Sequence, residues 1–202
     1  MPPERSQTEL IQAVLGGNSA AWGEFYRNEY PRVYRLCYGF LVDTAEAEDV
    51  AQDAMLQIVD RLSTFDQSRR FDTWRNTVAA NLCRDRLRRK ASRKRAEEAA
   101  AEVEALRPPP RGSDPSEVIS RSEILELLKS SLSSLTPRER EVFVLRDLEG
   151  ASSSEAAHVL EVSEGTIRSL LCLARRRLRT LLGPRLPEFA GCNGTKEDNH
   201  DG

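Results

Sequence analysis

Residues 135–182 read Leu135-Thr-Pro-Arg-Glu-Arg-Glu-Val-Phe-Val-Leu-Arg-Asp-Leu-Glu-Gly150-Ala-Ser-Ser-Ser-Glu-Ala-Ala-His-Val-Leu-Glu-Val-Ser163-Glu-Gly-Thr-Ile-Arg-Ser-Leu-Leu-Cys-Leu-Ala-Arg-Arg-Arg-Leu-Arg-Thr-Leu-Leu182. Helix-start signals cut this stretch into three. Thr136 can cap a helix whose first residue is Pro137 and whose Glu139 bonds back, a capping box. Ser152 with Glu155 repeats the box, and Ser163 is a good N-cap for the last helix. On a wheel of about 100° per residue, Ile167, Leu171, Ala174, Leu178 and Leu181 share one face. Gly165, Arg168, Ser169, Cys172, Arg175, Arg176 and Arg179 fall around the other. Two capped helices joined by the short turn Glu161–Ser163, the second with an arginine face, form the pattern of a helix-turn-helix, whose last helix enters the DNA major groove. An arginine run alone is ordinarily a solvated helix end. Together with the caps, the turn and the apolar stripe, it makes nucleic acid the expected partner.

The rest of the chain agrees with small helical units. Of 202 residues, 31% are charged and only 6% aromatic, which suits modest helical cores better than a large β-rich enzyme. The net charge of −2 excludes a generic polycation, but the charges are segregated. Between Arg84 and Arg95 eight Lys/Arg face one acid, Asp85, whereas Asp43 to Asp60 holds six acids and no base. Such segregation points to two partners on two surfaces. The four cysteines, Cys37, Cys83, Cys172 and Cys192, are scattered without metal-ligand spacing, so reduced thiols are expected. No Walker loop, nucleophile–base arrangement or signal-peptide core occurs. No catalytic, cofactor-binding or metal-binding residue is therefore expected, and the expected location is cytoplasmic, without membrane insertion.

Helical spacing recurs throughout and strand signals are scarce, so the expected fold is all-α. The pattern predicts helices at about 7–16, 19–40, 45–62, 71–96, 117–133, 137–148, 153–161 and 164–182. Asp43 with Glu46 fits another capping box. Arg107-Pro-Pro-Pro-Arg-Gly-Ser-Asp-Pro115 cannot continue a helix and favours an extended path. The predicted organisation is a helical domain at 7–95, a flexible linker at 96–116, a helix-turn-helix domain at 117–183 and a disordered polar tail at 184–202.

Two features of the first half call for explanation. Asp49, Gln52, Asp53, Leu56 and Asp60 line one side of the third helix opposite Val50, Ala54, Ile58 and Leu62. This face is either solvated surface or a dock for a basic partner. The block from Phe71 to Lys90 leads from an aromatic helix start into a basic run, a combination that suits unstacked single-stranded bases. Val78 and Leu82 continue the face of Trp74, so Trp74 is expected in the core. The loop Thr64–Arg70 is the better candidate for touching bases.

Ala45-Glu-Ala-Glu-Asp49-Val-Ala-Gln52-Asp53, Phe71-Asp-Thr-Trp74 through Asn81 to Asp85-x-Leu87-Arg88-Arg89, Leu135-Thr-Pro-Arg-Glu-Arg-Glu, and Ser163-Glu-Gly-Thr166-Ile-Arg-Ser169 resemble, in order, the blocks of the extracytoplasmic-function sigma factors of bacterial RNA polymerase. The resemblance covers about residues 8–183. It implies a promoter-recognition factor without catalytic activity, whose first domain binds the polymerase clamp and opens the −10 element. The second domain would bind the polymerase flap and read the −35 duplex. The resemblance places Asp49, Gln52, Asp53 and Leu56 against the clamp. It assigns Asp66, Arg69, Arg70, Thr73, Asn76, Asn81 and the run with Arg84, Arg88 and Arg89 to the −10 strand. It assigns Glu164, Gly165, Thr166, Arg168, Ser169, Arg175 and Arg176 to the −35 duplex. The acidic residues Glu97, Glu98, Glu102 and Glu104 would suit a linker in a positive channel.

The chain departs from the family pattern after Ser169, where Leu170 and Leu173 replace two usual arginines, and at Ala151, where a larger apolar residue is usual. The first change predicts weaker salt dependence of duplex binding. It also gives Leu173 as an apolar contact for a protein such as an anti-sigma factor. Two other readings compete: a free-standing helix-turn-helix regulator with an N-terminal sensing domain, and a protein that sequesters polymerase without reading DNA. The acidic face and the Phe71–Lys90 block have no role in a sensing domain, which ranks that reading second.

Overall fold

The computed structural model describes residues 6–101 and 122–182. Among these, α1 (Gln7–Leu15), α2 (Ser19–Leu41), α3 (Thr44–Arg61) and α4 (Phe71–Ala101) build the first domain, with one 3₁₀ turn at Leu62–Thr64. The second domain comprises α5 (Ser122–Ser133), α6 (Pro137–Phe143), α7 (Ser153–Leu160) and α8 (Glu164–Leu182). The expected tail at 184–202 and most of the expected linker lie outside the described residues, as do residues 117–121.

Local chemistry sets most of these ends. Ser6 with Glu9, Thr136 with Glu139 and Ser152 with Glu155 form complete capping boxes. Asp43 makes only half of the expected one: it accepts the Glu46 N–H at 3.1 Å, while the Glu46 carboxylate turns to Arg86 at 3.1 Å. α4 runs past the expected domain end at 95 as far as Ala101. The Ala/Glu-rich sequence after Arg95 consists of good helix formers, with no breaker before Pro108. The expected helix at 137–148 is α-helical only to Phe143. Residues Val144–Leu148 form a π turn closed by the Glu149 N–H on the Val144 carbonyl at 2.9 Å.

The first domain packs α2, α3 and α4 around Phe25, Leu36, Phe40, Val50, Ala54 and Ile58, all buried. Phe65, Phe71 and Trp74 cluster in edge-on and tilted ring contacts, with Phe65 and Trp74 centroids 5.0 Å apart. Trp74 is half-buried against the core, and Phe71 is buried. In α8 the buried stripe is Ile167, Leu171, Ala174 and Leu178, and Leu181 at its end is half-buried. α7 ends on Glu161 in the left-handed region, φ 54°, which turns the chain sharply into α8. The helix-turn-helix follows.

Candidate nucleic-acid interface

On α3, the face opposite the buried Ala47, Val50, Ala54 and Ile58 brings Asp49, Gln52, Asp53 and Leu56 together in solvent. Leu56 is 65% exposed, far more than an isolated domain requires of a leucine. Beside it lies a feature that the sequence reading missed. Trp22, Tyr26, Tyr30, Tyr34 and Tyr38 recur every four residues along α2; the four tyrosines stack ring on ring, at 5.2 Å between Tyr26 and Tyr30, and Trp22 meets Tyr26 at a tilt. The signal was their i, i+4 spacing. Burial, and then Tyr26 and Glu48, raise the phenol pKa of Tyr30. Trp22, Tyr26, Met55, Leu56 and Val59 line a groove of about 300 Å³ edged by Gln52 and Asp60. The face is therefore acidic along α3 and aromatic along α2.

The loop before α4 is shaped by Asp66, which accepts from the Ser68 N–H at 3.0 Å and the Ser68 hydroxyl at 2.7 Å. These bonds, and Arg69 beyond them, hold its carboxyl below the ordinary carboxylate range. Arg69 and Arg70 extend into solvent beside it. Thr73 lies one turn further along α4. Asn76 differs from its neighbours: it is 4% exposed, and its Oδ1 accepts from Arg75 Nε and Nη2. Its carboxamide holds an arginine and does not face solvent. Arg75, equally buried, lies 2.7 Å from Glu29 and 2.8 Å from Asp72. Further along, Asn81 is exposed and accepts from Arg84. Arg88 pairs with Asp85 at 3.0 Å, and Arg89 is exposed. Burial lowers the Arg84 pKa against the opposing pull of Glu141, because Arg84 lies between the domains.

In the helix-turn-helix, Glu164, Gly165, Thr166, Arg168 and Ser169 are exposed together on the first turns of α8. Ser163 Oγ accepts the Thr166 N–H at 3.1 Å, which fixes the helix start beneath them. Arg176 is exposed as well. Arg175 is engaged within the domain, in a two-pronged pair with Asp147 at 2.6 and 3.0 Å. Arg177 likewise lies 3.1 Å from Glu139. Leu170 packs against the core, whereas Leu173 is 37% exposed on the flank of the arginine face.

The two domains touch, and the contact falls on the −10 candidates. Glu155 of α7 accepts from Thr73 at 3.1 Å and lies 2.8 Å from Arg70. Arg84 donates to the Val159 carbonyl at 3.2 Å. Arg35 grips Glu149 at 2.7 and 3.3 Å. A cleft of about 330 Å³ remains between Arg69, Arg70 and Trp74 on one side and Glu155 and His158 on the other. Sequence reasoning proposed neither Arg35 nor Glu149, because pairs 114 residues apart leave no local signal.

Residues 25–93 match the Sigma-70 region 2 family, and residues 125–178 match Sigma-70, region 4. The protein is thus a two-domain sigma factor of the sigma-70 type, which directs RNA polymerase to promoter DNA at transcription initiation. Within that class the chain belongs to the extracytoplasmic-function sigma factors. It is 30% identical over 183 residues to the extracytoplasmic-function sigma factor SigM of Mycobacterium tuberculosis, covering 89% of this chain and 86% of that one. To SigW of Bacillus subtilis it is 28% identical over 176 residues, 85% of this chain and 94% of that one. Among solved structures, CnrH in complex with the cytosolic domain of CnrY superposes with a TM-score of 0.60 at 26% identity, covering 87% and 96% of the two chains. The sigma factor RpoE of Bartonella quintana, solved with the anti-sigma factor NepR, shares the fold at TM-score 0.59 and 22% identity over 80% and 96%.

Proposed function

We propose a division of labour among three surfaces. The exposed α3 face, with Asp49, Gln52, Asp53 and Leu56, docks on the polymerase clamp. The loop with Asp66, Arg69 and Arg70, continued along α4 by Thr73, Asn81, Arg84, Arg88 and Arg89, takes one strand of the −10 element. Asn76 serves that surface from beneath by holding Arg75. The first turns of α8, from Glu164 to Ser169, read the −35 duplex, while Arg176 and Arg175 hold phosphates. Arg175 must first leave Asp147. The second domain also meets the polymerase flap.

One observation carries this reading: α3 presents carboxylates and an exposed leucine on one face, joined to α4 at Asp49 by Arg86 at 3.3 Å, while Arg69, Arg70, Arg88 and Arg89 of the loop and α4 are left exposed as cations. A basic protein partner and a nucleic acid can therefore be held at once. The protein makes and breaks no covalent bond in this scheme. Its contribution is binding energy directed at the melted strand. In this scheme the protein acts in the cytoplasm, with polymerase and the chromosome. Among the described residues no helix is long and apolar enough to cross a membrane, and no group of side chains is arranged to hold a metal ion. An anti-sigma factor is a further partner of this scheme, supported by the exposed Leu173 on the flank of α8.

The test reconstitutes the chain with bacterial core polymerase on a library of promoter fragments. The wild type should program discrete start sites. Asp49→Arg with Asp53→Arg should weaken capture of core polymerase by about tenfold or more, since each tenfold needs only about 1.4 kcal/mol, and leave the helical circular dichroism unchanged. A wild type that programs no start while shifting duplex DNA without polymerase would favour the free-standing regulator. Unaltered capture by the double variant would remove α3 from the docking surface.

A further inference from the structure

No polymerase or DNA contact is assigned to the tyrosine ladder of α2. Stacking at i, i+4 supports a helix by itself, but these rings also form a surface. Tyr30, Tyr34 and Tyr38 pack against the core and stay partly exposed, and Tyr26 is 39% exposed. Carboxylates edge this surface. Burial raises the phenol pKa of Tyr30, Tyr34 and Tyr38; Glu48 raises the first two further and Glu126 the third, so each carboxylate lies close to the rings. Both carboxylates are exposed. Asp60 edges the adjoining groove beside Trp22 and Tyr26. Aromatic platforms elsewhere suit unstacked bases, but here the acids would repel phosphates. The surface fits a segment that is apolar, stiff and cationic.

This chain carries such a segment. Residues 102–121 join α4 to α5, and within them Arg107-Pro-Pro-Pro-Arg111 sets three prolines between two arginines. We propose that Arg107–Arg111 docks along the tyrosine ladder as a polyproline helix, its prolines on the rings and its arginines on Glu48 and Glu126. Docking turns the middle of the tether between the domains into part of the first domain's surface. It involves no residue assigned to DNA or polymerase.

Register, charge and reach support the pairing. The ring centroids of successive tyrosines lie 5.2, 6.4 and 6.3 Å apart. A polyproline helix rises about 3.1 Å per residue, so every second residue meets a ring. Arg107 to Arg111 then covers about 12 Å, the same length as the two helical steps from Tyr30 to Tyr38. Prolines are already ordered before they dock, so aromatic surfaces hold such segments at little entropic cost. The flanking guanidinium groups meet carboxylates, and their planes stack on phenol rings. Reach follows from where the linker ends. Glu126, one turn into α5, lies beside Tyr38, so the chain leaves the linker next to the last ring of the ladder. Residues 112–121 can span up to about 33 Å, ample to bring Arg111 back over the rings.

The experiment uses the full chain with a nitroxide on Gly112→Cys, in a background of Cys172→Ser and Cys192→Ser. Cys37 and Cys83 are buried and stay unlabelled. All four tyrosines of the chain belong to the ladder, so tyrosine-selective isotope labelling reads this surface alone. The ring signals of Tyr30, Tyr34 and Tyr38 should be lost while the nitroxide is oxidised and return when it is reduced. Arg107→Glu with Arg111→Glu should restore the signals, as should exchange of Pro108, Pro109 and Pro110 for glycine. Glu48→Arg, an exposed change outside the linker, should restore those of Tyr30 and Tyr34 from the other side. Signals that stay sharp with the linker intact overturn the docking. Equal broadening in the triple-glycine chain describes a linker that only sweeps past the rings, and overturns it as well. Broadening found only when nitroxide and isotope are on different chains assigns the ladder to a second copy, against the proposal.

Discussion

Removing Arg75 should damage the first domain more than removing the carboxylate it faces. Arg75 is 3% exposed and Glu29 1% exposed, and the arginine Nη1 lies 2.7 Å from Glu29 Oε2. In Arg75→Met, Glu29 stays buried with only the Gln7 amide, at 3.4 Å, described as a partner. Breaking a buried pair from one side typically costs about 3–5 kcal/mol, and here little is left to compensate. Glu29→Gln is a milder change. Arg75 keeps Asp72 at 2.8 Å and the Asn76 oxygen, so the loss is closer to that of one charge-assisted bond, about 1.5–3 kcal/mol. Replacing both, as Glu29→Leu with Arg75→Met, removes the desolvated charges together and should come within about 1 kcal/mol of wild type. Urea unfolding followed by helical circular dichroism measures all three. The apolar pair should recover most of the stability that Arg75→Met alone loses. If Arg75→Met is milder than Glu29→Gln, or the apolar pair is no better than Arg75→Met, the buried pair does not organise α2 against α4 as argued.

Two further outcomes follow from the sites. Leu173→Arg restores a cation on the flank of α8, so duplex binding by the full chain should acquire a steeper salt dependence. The slope of log affinity against log salt should grow by about 0.9, roughly a threefold extra loss between 50 and 200 mM; an unchanged slope would put position 173 off the phosphate path. Glu155 should titrate below an ordinary glutamate. Burial pushes its carboxyl up, but the Ser152 N–H and hydroxyl, the Thr73 hydroxyl and Arg70 together outweigh it. A depressed carboxyl contributes stability that is present above the unfolded pKa and is lost as pH falls through the folded one. The α7 cap and the Glu155 contacts should therefore be intact at neutral pH and weaken only in acid. A carbon-detected titration gives the midpoint, and Arg70→Ala with Thr73→Ala should raise it. A wild-type midpoint at or above the ordinary value would deny the contact.

The helices themselves were legible because their ends are local. Thr136, Ser152 and Ser163 each cap within three residues, and the stripe from Ile167 to Leu178 needs only helical spacing to be found. The end of α4 was misplaced because the change of composition at Ala96 resembles a linker, yet alanine and glutamate propagate a helix until proline stops it. The π turn at Val144–Leu148 carries no comparable signature; Val, Leu and Arg occupy α-helical turns equally well, and what sets this turn apart is that Val144 and Glu149 meet Gly39 and Arg35 of the other domain. The candidate surfaces divide in the same way. Asp49, Gln52, Asp53 and Leu56 cluster on α3 as their periodicity requires. Asn76, on α4, shares a helix with the exposed −10 candidates but sits under Arg75, because burial depends on what α2 places opposite.

Gly39 shows where a sequence can hint at a long-range contact. A glycine within the 23-residue helix α2 weakens that helix by about 1 kcal/mol relative to alanine, so its presence asks for a compensating close approach. The approach is Val144, 105 positions away. A glycine says that something comes near without saying what, which is why the contact had to be seen. The same holds for Arg35 and Glu149: either alone is an unremarked surface charge, and only their meeting gives Glu149 a partner for a carboxylate withdrawn from water. A fold of two capped helical units is thus encoded locally, whereas the contact between them rests on single residues, of which only Gly39 leaves a trace within its own helix.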